Sequence, residues 1–119
     1  MLVAQTEIGD SKSSLLEELG DKLFENKKIS GGELFIVKDR RGYMRFIVIN
    51  NVVIAITEGY YKSNPESLKL YHETEQFIKS TAIKDPEKEI WYERNPRGKA
   101  VSIKFINEGN EYQIFIIGD

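Results

Sequence analysis

The sequence contains no cysteine, one histidine and one tryptophan among its 119 residues. The absence of cysteine excludes disulfide bonds, thiolate metal ligands and cysteine nucleophiles. The only histidine, His72, has no second imidazole with which to build a zinc site, so we expect neither a metal nor a cofactor. No apolar run reaches the about 18 residues of a membrane-spanning helix, and the first residues lack the basic and apolar regions of a signal peptide. These absences predict a soluble protein of the cytoplasm.

The sequence also lacks a strong excess of charge of either sign. It has 17 lysine and arginine residues against 19 aspartate and glutamate residues, which gives a formal net charge of −2. Such a balance provides no overall attraction to a polyanion, although it permits a local basic patch. Hydrophobic residues make up 40% of the chain, which is typical of a folded protein. Abundant isoleucine, lysine and glutamate give a thermophile-like composition.

A repeated pattern is the most informative feature that is present. Glu33 to Gly42 and Glu89 to Gly98 both begin with glutamate and end with arginine and glycine, about 56 positions apart. A helix-like segment precedes each copy and further β-like runs follow it, which indicates an internal duplication. The length is that of a single domain. We divide it into an N-terminal arm or edge strand at 1–10, a first αβββ unit at 11–62 and a second αβββ unit at 63–119.

Local signals define the elements of each unit. Ser14 and Glu17 form a capping box before leucines at helical spacing, which predicts a helix over 13–26. Pro65 suits the first turn of a second helix that begins near residues 63–66. The pair Asn50 and Asn51 and the segment 39–42 carry the chemistry of hairpin turns. Runs rich in isoleucine, valine and aromatic residues predict strands at 33–38, 43–50, 52–58, 88–94, 99–107 and 111–117.

The order α-β-β-β-α-β-β-β predicts an α+β fold in which an antiparallel sheet packs with two helices and the units are related by a pseudo-twofold axis. In the second unit Val101, Ile103 and Phe105 alternate with polar residues, as expected for a sheet with one dry face and one wet face. In the first unit the runs 46–49 and 52–56 are apolar on both sides. Such strands are either central and covered on both faces within one chain, or buried against a second copy.

Burial against a second copy leads to our main functional hypothesis. It describes a small non-enzymatic binding or assembly protein that forms a homodimer through its first unit and acts by protein–protein contacts. The element order resembles that of the roadblock and longin-like interaction modules, and residues 110–117 are similar to their closing strand. This resemblance implies a small platform that pairs into dimers. The strand at 52–58 departs from the roadblock pattern.

Residues with catalytic chemistry do not converge in the sequence. Glu89 and Glu93 alternate around Trp91 and are expected on one sheet face, but no third ligand accompanies them. Residues 30–32 are rich in glycine but precede a strand rather than a helix, so they do not predict a phosphate-binding loop. The element order also resembles the core of restriction-endonuclease-like nucleases, yet the third strand, 52–58, lacks the acid-x-Lys that their magnesium site requires. We therefore predict no enzymatic activity.

Two basic hairpins with neighbouring aromatic residues support an alternative hypothesis. Basic side chains neutralise phosphates and aromatic rings stack on bases, so such clusters are typical of single-stranded nucleic-acid binding. Lysine and arginine at hairpins also protect strand edges from aggregation. The alternative is a single-stranded DNA- or RNA-binding protein that resembles the Pur-alpha and Whirly type, in which the strands of each repeat precede its helix. The candidate contacts with nucleic acid or another partner are Arg40, Arg41, Tyr43, Arg45, Trp91, Tyr92, Arg94, Arg97 and Lys99.

Overall fold

The computed structural model describes residues 5–22 and 25–119. These residues form two α-helices and eight β-strands, with a short 3₁₀ turn at Gly20–Lys22. The helices are α1 (Lys12–Leu19) and α2 (Pro65–Thr81). The strands are β1 (Glu25–Ile29), β2 (Gly32–Asp39), β3 (Gly42–Ile49), β4 (Val52–Tyr61), β5 (Ile83–Lys84), β6 (Trp91–Arg94), β7 (Ala100–Glu108) and β8 (Glu111–Gly118).

The eight strands form one antiparallel sheet in the order β1-β2-β3-β4-β8-β7-β6-β5. Strands β1 to β4 and strands β5 to β8 each pair with their neighbours in sequence, and β4 pairs with β8 at the centre. The structure confirms the predicted α+β class with an antiparallel sheet and two helices. Each half has one strand more than predicted, because the sequence does not predict β1 or β5.

The turn between β3 and β4 follows the prediction closely. Asn50 and Asn51 both adopt positive φ angles, 52° and 63°. Asparagine tolerates this left-handed geometry better than most residues, and a two-residue hairpin turn requires it. Next to the turn, the pairing of β3 with β4 shifts by one residue, which creates a bulge in β4. Because of this bulge, Val53 and Ala55 point to opposite faces of the sheet.

Helix α1 is shorter than predicted. Its N-cap is Ser11 rather than Ser14, and the Ser11 hydroxyl oxygen accepts a hydrogen bond from the Ser14 backbone N–H at 3.1 Å. Gly20 ends the helix with a φ of 54°, which glycine adopts without a steric penalty. The predicted helix over 13–26 therefore covers most of α1, the 3₁₀ turn and the start of β1. Its residues 23–24 lie outside the described residues.

Helix α2 begins where the sequence predicts. Asn64 is the N-cap and accepts a hydrogen bond from the Ser67 backbone N–H at 3.0 Å, and Pro65 occupies the first turn. Neither of the described helices combines the length and the apolar character needed to cross a lipid bilayer.

Both helices pack on the same face of the sheet. Leu15 and Leu19 of α1 and Tyr71 of α2 join one cluster of buried side chains with residues from the central strands. This burial is the main stabilising contribution, because each fully buried large apolar side chain contributes about 1.5–3 kcal/mol. The strand residues of the cluster are Phe35, Val37, Met44, Phe46, Val48, Val53, Ile56, Tyr60, Trp91, Val101, Ile103 and Ile114.

Residues 5–10, which we call the N-terminal arm, pack along the start of β4 and are not part of any strand. Gly9 donates a backbone hydrogen bond to the Val53 carbonyl at 2.9 Å, and Val53 donates one to the Asp10 carbonyl at 2.9 Å. Thr6 and Ile8 are buried. The arm is therefore fixed to the sheet by backbone bonds and by burial of its own side chains.

A candidate binding face on the open side of the sheet

The face of the sheet opposite the helices is free of any other helix or strand within residues 5–22 and 25–119. We call this surface the open face. Side chains alternate between faces along each strand, so the pairing register identifies its members as rows that run across the sheet. The three central rows are Lys27, Leu34, Ile47, Ala55, Ile117 and Ser102; Glu25, Ile36, Arg45, Thr57, Phe115 and Lys104; and Lys38, Tyr43, Gly59, Gln113 and Ile106.

One half of the open face, nearest the β3–β4 turn, is apolar. Ile117 is 40% exposed and Val52 is 39% exposed, while Ile47 between them is half-buried. Exposed apolar residues that adjoin one another mark an interaction surface more reliably than isolated ones. We call this region the apolar half, and its members are Leu34, Ile47, Ile49, Val52, Ala55 and Ile117.

The other half of the open face is organised by Tyr43, which lies flat on the sheet. Its ring lies so close to Gly59 on β4 that a methyl group there would be 2.2 Å from a ring carbon. Its hydroxyl reaches across β4 to β8, where it donates to the carboxylate of Glu111 and accepts from Nε2 of Gln113 at 2.7 Å. The Tyr43 side chain is only 5% exposed, and contacts with Gly59 of β4 and with Glu111 and Gln113 of β8 hold it in place.

Arg45 covers the outer side of the Tyr43 ring. The carbon at the centre of its guanidinium group lies 4.6 Å from the ring centroid, which is the geometry of a cation–π contact. Since the sheet occupies the inner side of the ring, Gly59, Tyr43 and Arg45 form a stack that ends in a solvent-exposed guanidinium group. We call these three residues the Tyr43 stack.

A pocket of about 360 Å³ lies beside the Tyr43 stack. Tyr61 contributes a second ring whose centroid is 6.2 Å from that of Tyr43, with the two ring planes inclined by 54°. The lining also contains two basic side chains and two carboxylates, which are those of Lys38, Arg45, Glu25 and Glu111. The pocket therefore offers aromatic surface, positive charge and hydrogen-bond acceptors within one small volume.

Tyr43 remains a hydrogen-bond donor at neutral pH. Burial, and then the hydrogen bond to Glu111, raise the pKa of Tyr43 to about 12. The hydroxyl therefore keeps its proton, and the Tyr43 stack keeps its position, over the physiological pH range. Nothing in this arrangement activates Tyr43 as a base or nucleophile.

The first predicted cluster is only partly assembled. Tyr43 and Arg45 are in contact, but Arg40 and Arg41 lie in the β2–β3 turn beyond them. The Arg41 guanidinium group forms ion pairs with Asp39 at 3.3 Å and with Glu66 at 3.5 Å. Arg40 is exposed at the tip of the turn.

The second predicted cluster is largely occupied by contacts within the chain. Arg97 pairs with Asp10 of the N-terminal arm, with Nε 2.9 Å from Oδ1. Arg94 donates to the backbone carbonyl of Gly98 at 2.9 Å. Lys99 is exposed, and the aliphatic part of its side chain lies against Gly9. These basic groups hold the β6–β7 connection and the arm together.

The two aromatic residues of the second cluster lie on opposite faces of β6. Trp91 is 6% exposed on the helix-covered face, where its ring contacts Phe105 and the Lys79 ammonium group. Tyr92 lies on the open face and donates a hydrogen bond to Asp85 at 3.0 Å. The two rings therefore do not form one stacking surface, as expected for neighbouring residues in a strand.

The two basic turns lie at opposite ends of the central strands. The first turn is bonded to the end of β4, where the Tyr61 backbone N–H donates to the Arg41 carbonyl at 3.0 Å. The second lies beside Gly9, which is bonded to the start of β4. Of the nine predicted contacts, the structure brings Tyr43 and Arg45 into one pocket, and Arg40 and Arg41 into another that Asp39 and Glu66 also line. Around Tyr43 the structure places four further residues that the sequence did not indicate as contacts, namely Gly59, Tyr61, Glu111 and Gln113.

Metal-ligating side chains do not cluster in the part of the chain that the structure describes. His72 is half-exposed on α2, with Nδ1 3.9 Å from Glu75. No group of three or more histidine or acidic residues in the described part of the chain is placed to hold a metal ion.

Comparison with protein-family models, with curated proteins and with solved structures finds no significant match to this chain.

Proposed function

We propose that this chain is a non-enzymatic binding and assembly protein that forms a homodimer through the apolar half of its open face. The observation that carries the proposal is the row formed by Leu34, Ile47, Ala55 and Ile117, which no described helix or strand covers. Contact with a second copy removes this apolar surface from water, which stabilises the pair by roughly 25 cal/mol per Å² buried.

The size of the surface supports the proposal. The described chain measures 34 × 31 × 24 Å along its principal axes. A sheet face that spans the two longer directions offers about 1,000 Å², so two apolar halves in contact bury about 1,000 Å² in total, which is the lower limit for a specific interface. Two sheets that pack face to face lie about 10 Å apart, with their apolar side chains interdigitated.

The test is a mass measurement by light scattering at micromolar concentration. We expect the wild-type protein to show twice the 13.7 kDa mass of one chain. Ile117→Lys places a charge in the centre of the apolar half, so we expect this variant to show the mass of a single chain. The matched control is Ile83→Lys, because Ile83 is 75% exposed on the edge strand β5 and its replacement leaves the apolar half intact.

Two outcomes contradict the dimer. A wild-type protein with the mass of one chain throughout the micromolar range removes self-association altogether. Loss of the dimer in Ile83→Lys, with retention in Ile117→Lys, moves the interface to the β5 edge.

A second candidate function is single-stranded nucleic-acid binding. The part of the open face around Tyr43 favours it, because Lys104 lies beside Phe115 in one row, and Arg45 of that same row contacts Tyr43 of the next. Basic groups next to aromatic rings are the arrangement that single strands need. The turn residue Arg40 extends this positive charge at the end of the same strands.

The salt dependence of oligonucleotide binding tests this candidate. We expect the affinity for a fluorescently labelled oligothymidylate to fall steeply between about 50 mM and about 200 mM salt. Arg40→Ala and Lys104→Ala should each reduce the slope of log K against log salt by about one unit. Absence of binding at the lower salt concentration excludes nucleic-acid binding.

We further propose that the two halves of the chain arose by duplication. Each half consists of one helix followed by four strands, and the last strand of each half pairs with that of the other, β4 with β8. A twofold axis between β4 and β8 would relate the halves and place the two basic turns at equivalent positions.

A further inference from the structure

We propose that the pocket beside the Tyr43 stack is a nucleotide subsite, in which one base of a single-stranded nucleic acid stacks on the guanidinium plane of Arg45. The inference deepens the nucleic-acid candidate above, names its site and does not depend on the dimer. The proposed base-stacking contact lies on the open face of the sheet, whereas the sequence indicated the two hairpin tips.

The first support is the rigidity of the Arg45 platform. An arginine side chain on a surface usually samples many rotamers, and ordering it costs free energy when a ligand binds. Here the Tyr43 ring fixes the guanidinium group from below, at 4.6 Å, and Gly59 and β8 fix the Tyr43 ring in turn. Folding therefore already orders the Arg45 side chain, and its exposed guanidinium group is in place before a flat ligand arrives.

The second support is the chemistry around the platform. A nucleotide within a strand combines a planar base, hydrogen-bonding groups on the base edge and one negative charge on its phosphate. The pocket supplies a planar cation in Arg45, a second aromatic ring in Tyr61 and a further positive charge in Lys38. One subsite of about 360 Å³ is of the size that a single base and its sugar require.

The third support is the state of the Glu111 carboxylate. Tyr43 and Gln113 both donate to Oε2, and no hydrogen bond reaches Oε1 from the described residues. Oε1 is thus available to accept from the amino or imino group of a base edge. The carboxylate pair of Glu111 and Glu25 also disfavours a doubly charged monophosphate, so we commit to a nucleotide within a strand, which has one charge per phosphate.

The position of Trp91 makes its fluorescence unsuitable as a probe of this pocket. Trp91 lies beneath α2 on the helix-covered face, so its fluorescence should not respond to a ligand on the open face. The binding test therefore uses the fluorescence anisotropy of a labelled oligothymidylate, at about 50 mM salt.

The decisive comparison is between two arginine-to-lysine substitutions that both preserve charge. Arg45→Lys keeps the positive charge but removes the plane, so we expect affinity to fall about tenfold, on the scale of one lost base-stacking contact. Arg94→Lys is the matched control, because Arg94 is an exposed arginine at the end of β6 and outside the pocket. We expect this control to bind as the wild type does.

The possible results separate the inference from the function on which it rests. Salt-dependent binding that is unchanged in Arg45→Lys overturns the subsite and leaves nucleic-acid binding in place. Absence of wild-type binding overturns both. Thymidine monophosphate is the competitor that distinguishes a strand from a free nucleotide. If it displaces the oligonucleotide when both are present at the same concentration of nucleotide, the pocket does not prefer a strand, and that part of the proposal is wrong. The unfolding temperature of each variant is measured as a control. If it equals that of the wild type, the variant is folded, and a change in its affinity reflects the pocket.

Discussion

Gly59 is the residue on which the geometry of the open face depends most directly. It lies opposite Tyr43 in the β3–β4 ladder, and any side chain there would occupy the volume of the Tyr43 ring. Glycine usually weakens a strand because it has no side chain to pack. Here the tyrosine ring covers the gap, in the manner of a cross-strand aromatic residue that protects a glycine.

We predict that Gly59→Ala destabilises the protein by about 1–3 kcal/mol, the typical cost of overpacking. The cause is the 2.2 Å approach between the new methyl group and the Tyr43 ring. A double-mutant cycle with Tyr43→Ala, measured by urea unfolding, tests this cause. In the Tyr43→Ala background, Gly59→Ala should cost less than about 0.5 kcal/mol. An equal cost in both backgrounds would show that the strain lies elsewhere.

Glu58 is a second residue whose environment determines its behaviour. Its side chain lies on the helix-covered face, where it accepts a hydrogen bond from the Tyr60 hydroxyl. Burial, reinforced by the nearby charge of Glu7, raises the pKa of Glu58 above its ordinary value of 4.5. The folded state thus binds this proton more tightly than the unfolded state does.

We predict that Glu58 makes the protein less stable as pH rises. Because its pKa is higher in the folded state, its contribution to the free energy of unfolding falls as pH increases from about 4.5 through the folded pKa. Glu58→Gln retains the acceptor for Tyr60 and removes the titration, so this variant should be more stable than wild type at neutral pH. Urea unfolding at a series of pH values measures the difference. Exposed Glu87→Gln is the control, and an equal gain from it would refute the burial argument.

At the scale of elements, the N-terminal arm is held by the connection between β6 and β7. Asn95 is buried at 8% exposure, and its Nδ2 donates to the Ile8 carbonyl at 2.9 Å. Its Oδ1 accepts from the backbone N–H groups of Arg97 and Lys99, at 2.9 Å and 3.0 Å. One side chain therefore shapes the connection and attaches the arm to it.

We predict that Asn95→Ala costs about 1–3 kcal/mol, because it leaves buried polar groups without partners. Arg97→Ala should cost less than about 1 kcal/mol, because its ion pair with Asp10 is partly exposed and screened by water. Hydrogen exchange at the Gly9 amide, which donates to Val53, reports whether the arm detaches. The argument fails if Arg97→Ala is the more damaging change.

Local signals in the sequence were sufficient for the central elements. The Asn50–Asn51 turn and the start of α2 at Pro65 depend on the φ preferences of the residues themselves, so they are legible without knowledge of the rest of the chain. Strand β1 cannot be predicted from local sequence in this way. Its residues, Glu25–Ile29, are mostly charged or polar, and they form a strand because the backbone of β2 offers them hydrogen bonds.

The candidate site was less predictable because its parts are distant in sequence. The contact between Tyr43 and Glu111 spans 68 positions, and the role of Gly59 depends on the pairing register of β3 with β4. Trp91 and Tyr92 are adjacent in the sequence, which suggests a shared contact surface. In a strand, however, the side chains of adjacent residues point to opposite faces. Tyr43 and Arg45 are in contact because they are two positions apart in one strand and therefore lie on the same face.

At the scale of the whole molecule, one face of the sheet buries the core, and we propose the other face for recognition. The helix-covered face buries the core, and the open face has the apolar half near the β3–β4 turn and the Tyr43 stack nearer the β2–β3 turn. The two functions proposed for the open face therefore use different residues. Dimer formation through one half leaves the residues of the other half for a ligand.

We predict that self-association and oligonucleotide binding can be separated by single substitutions. Ile117→Lys should abolish the dimer, yet its affinity for the oligonucleotide should stay within about twofold of that of Ile83→Lys, which adds the same charge at the β5 edge. Arg45→Lys should lose about tenfold in affinity and keep the mass of two chains. Light scattering and fluorescence anisotropy on the same samples measure both properties. If either variant loses both properties while remaining folded, the two halves form one continuous site, and the division of the open face is incorrect.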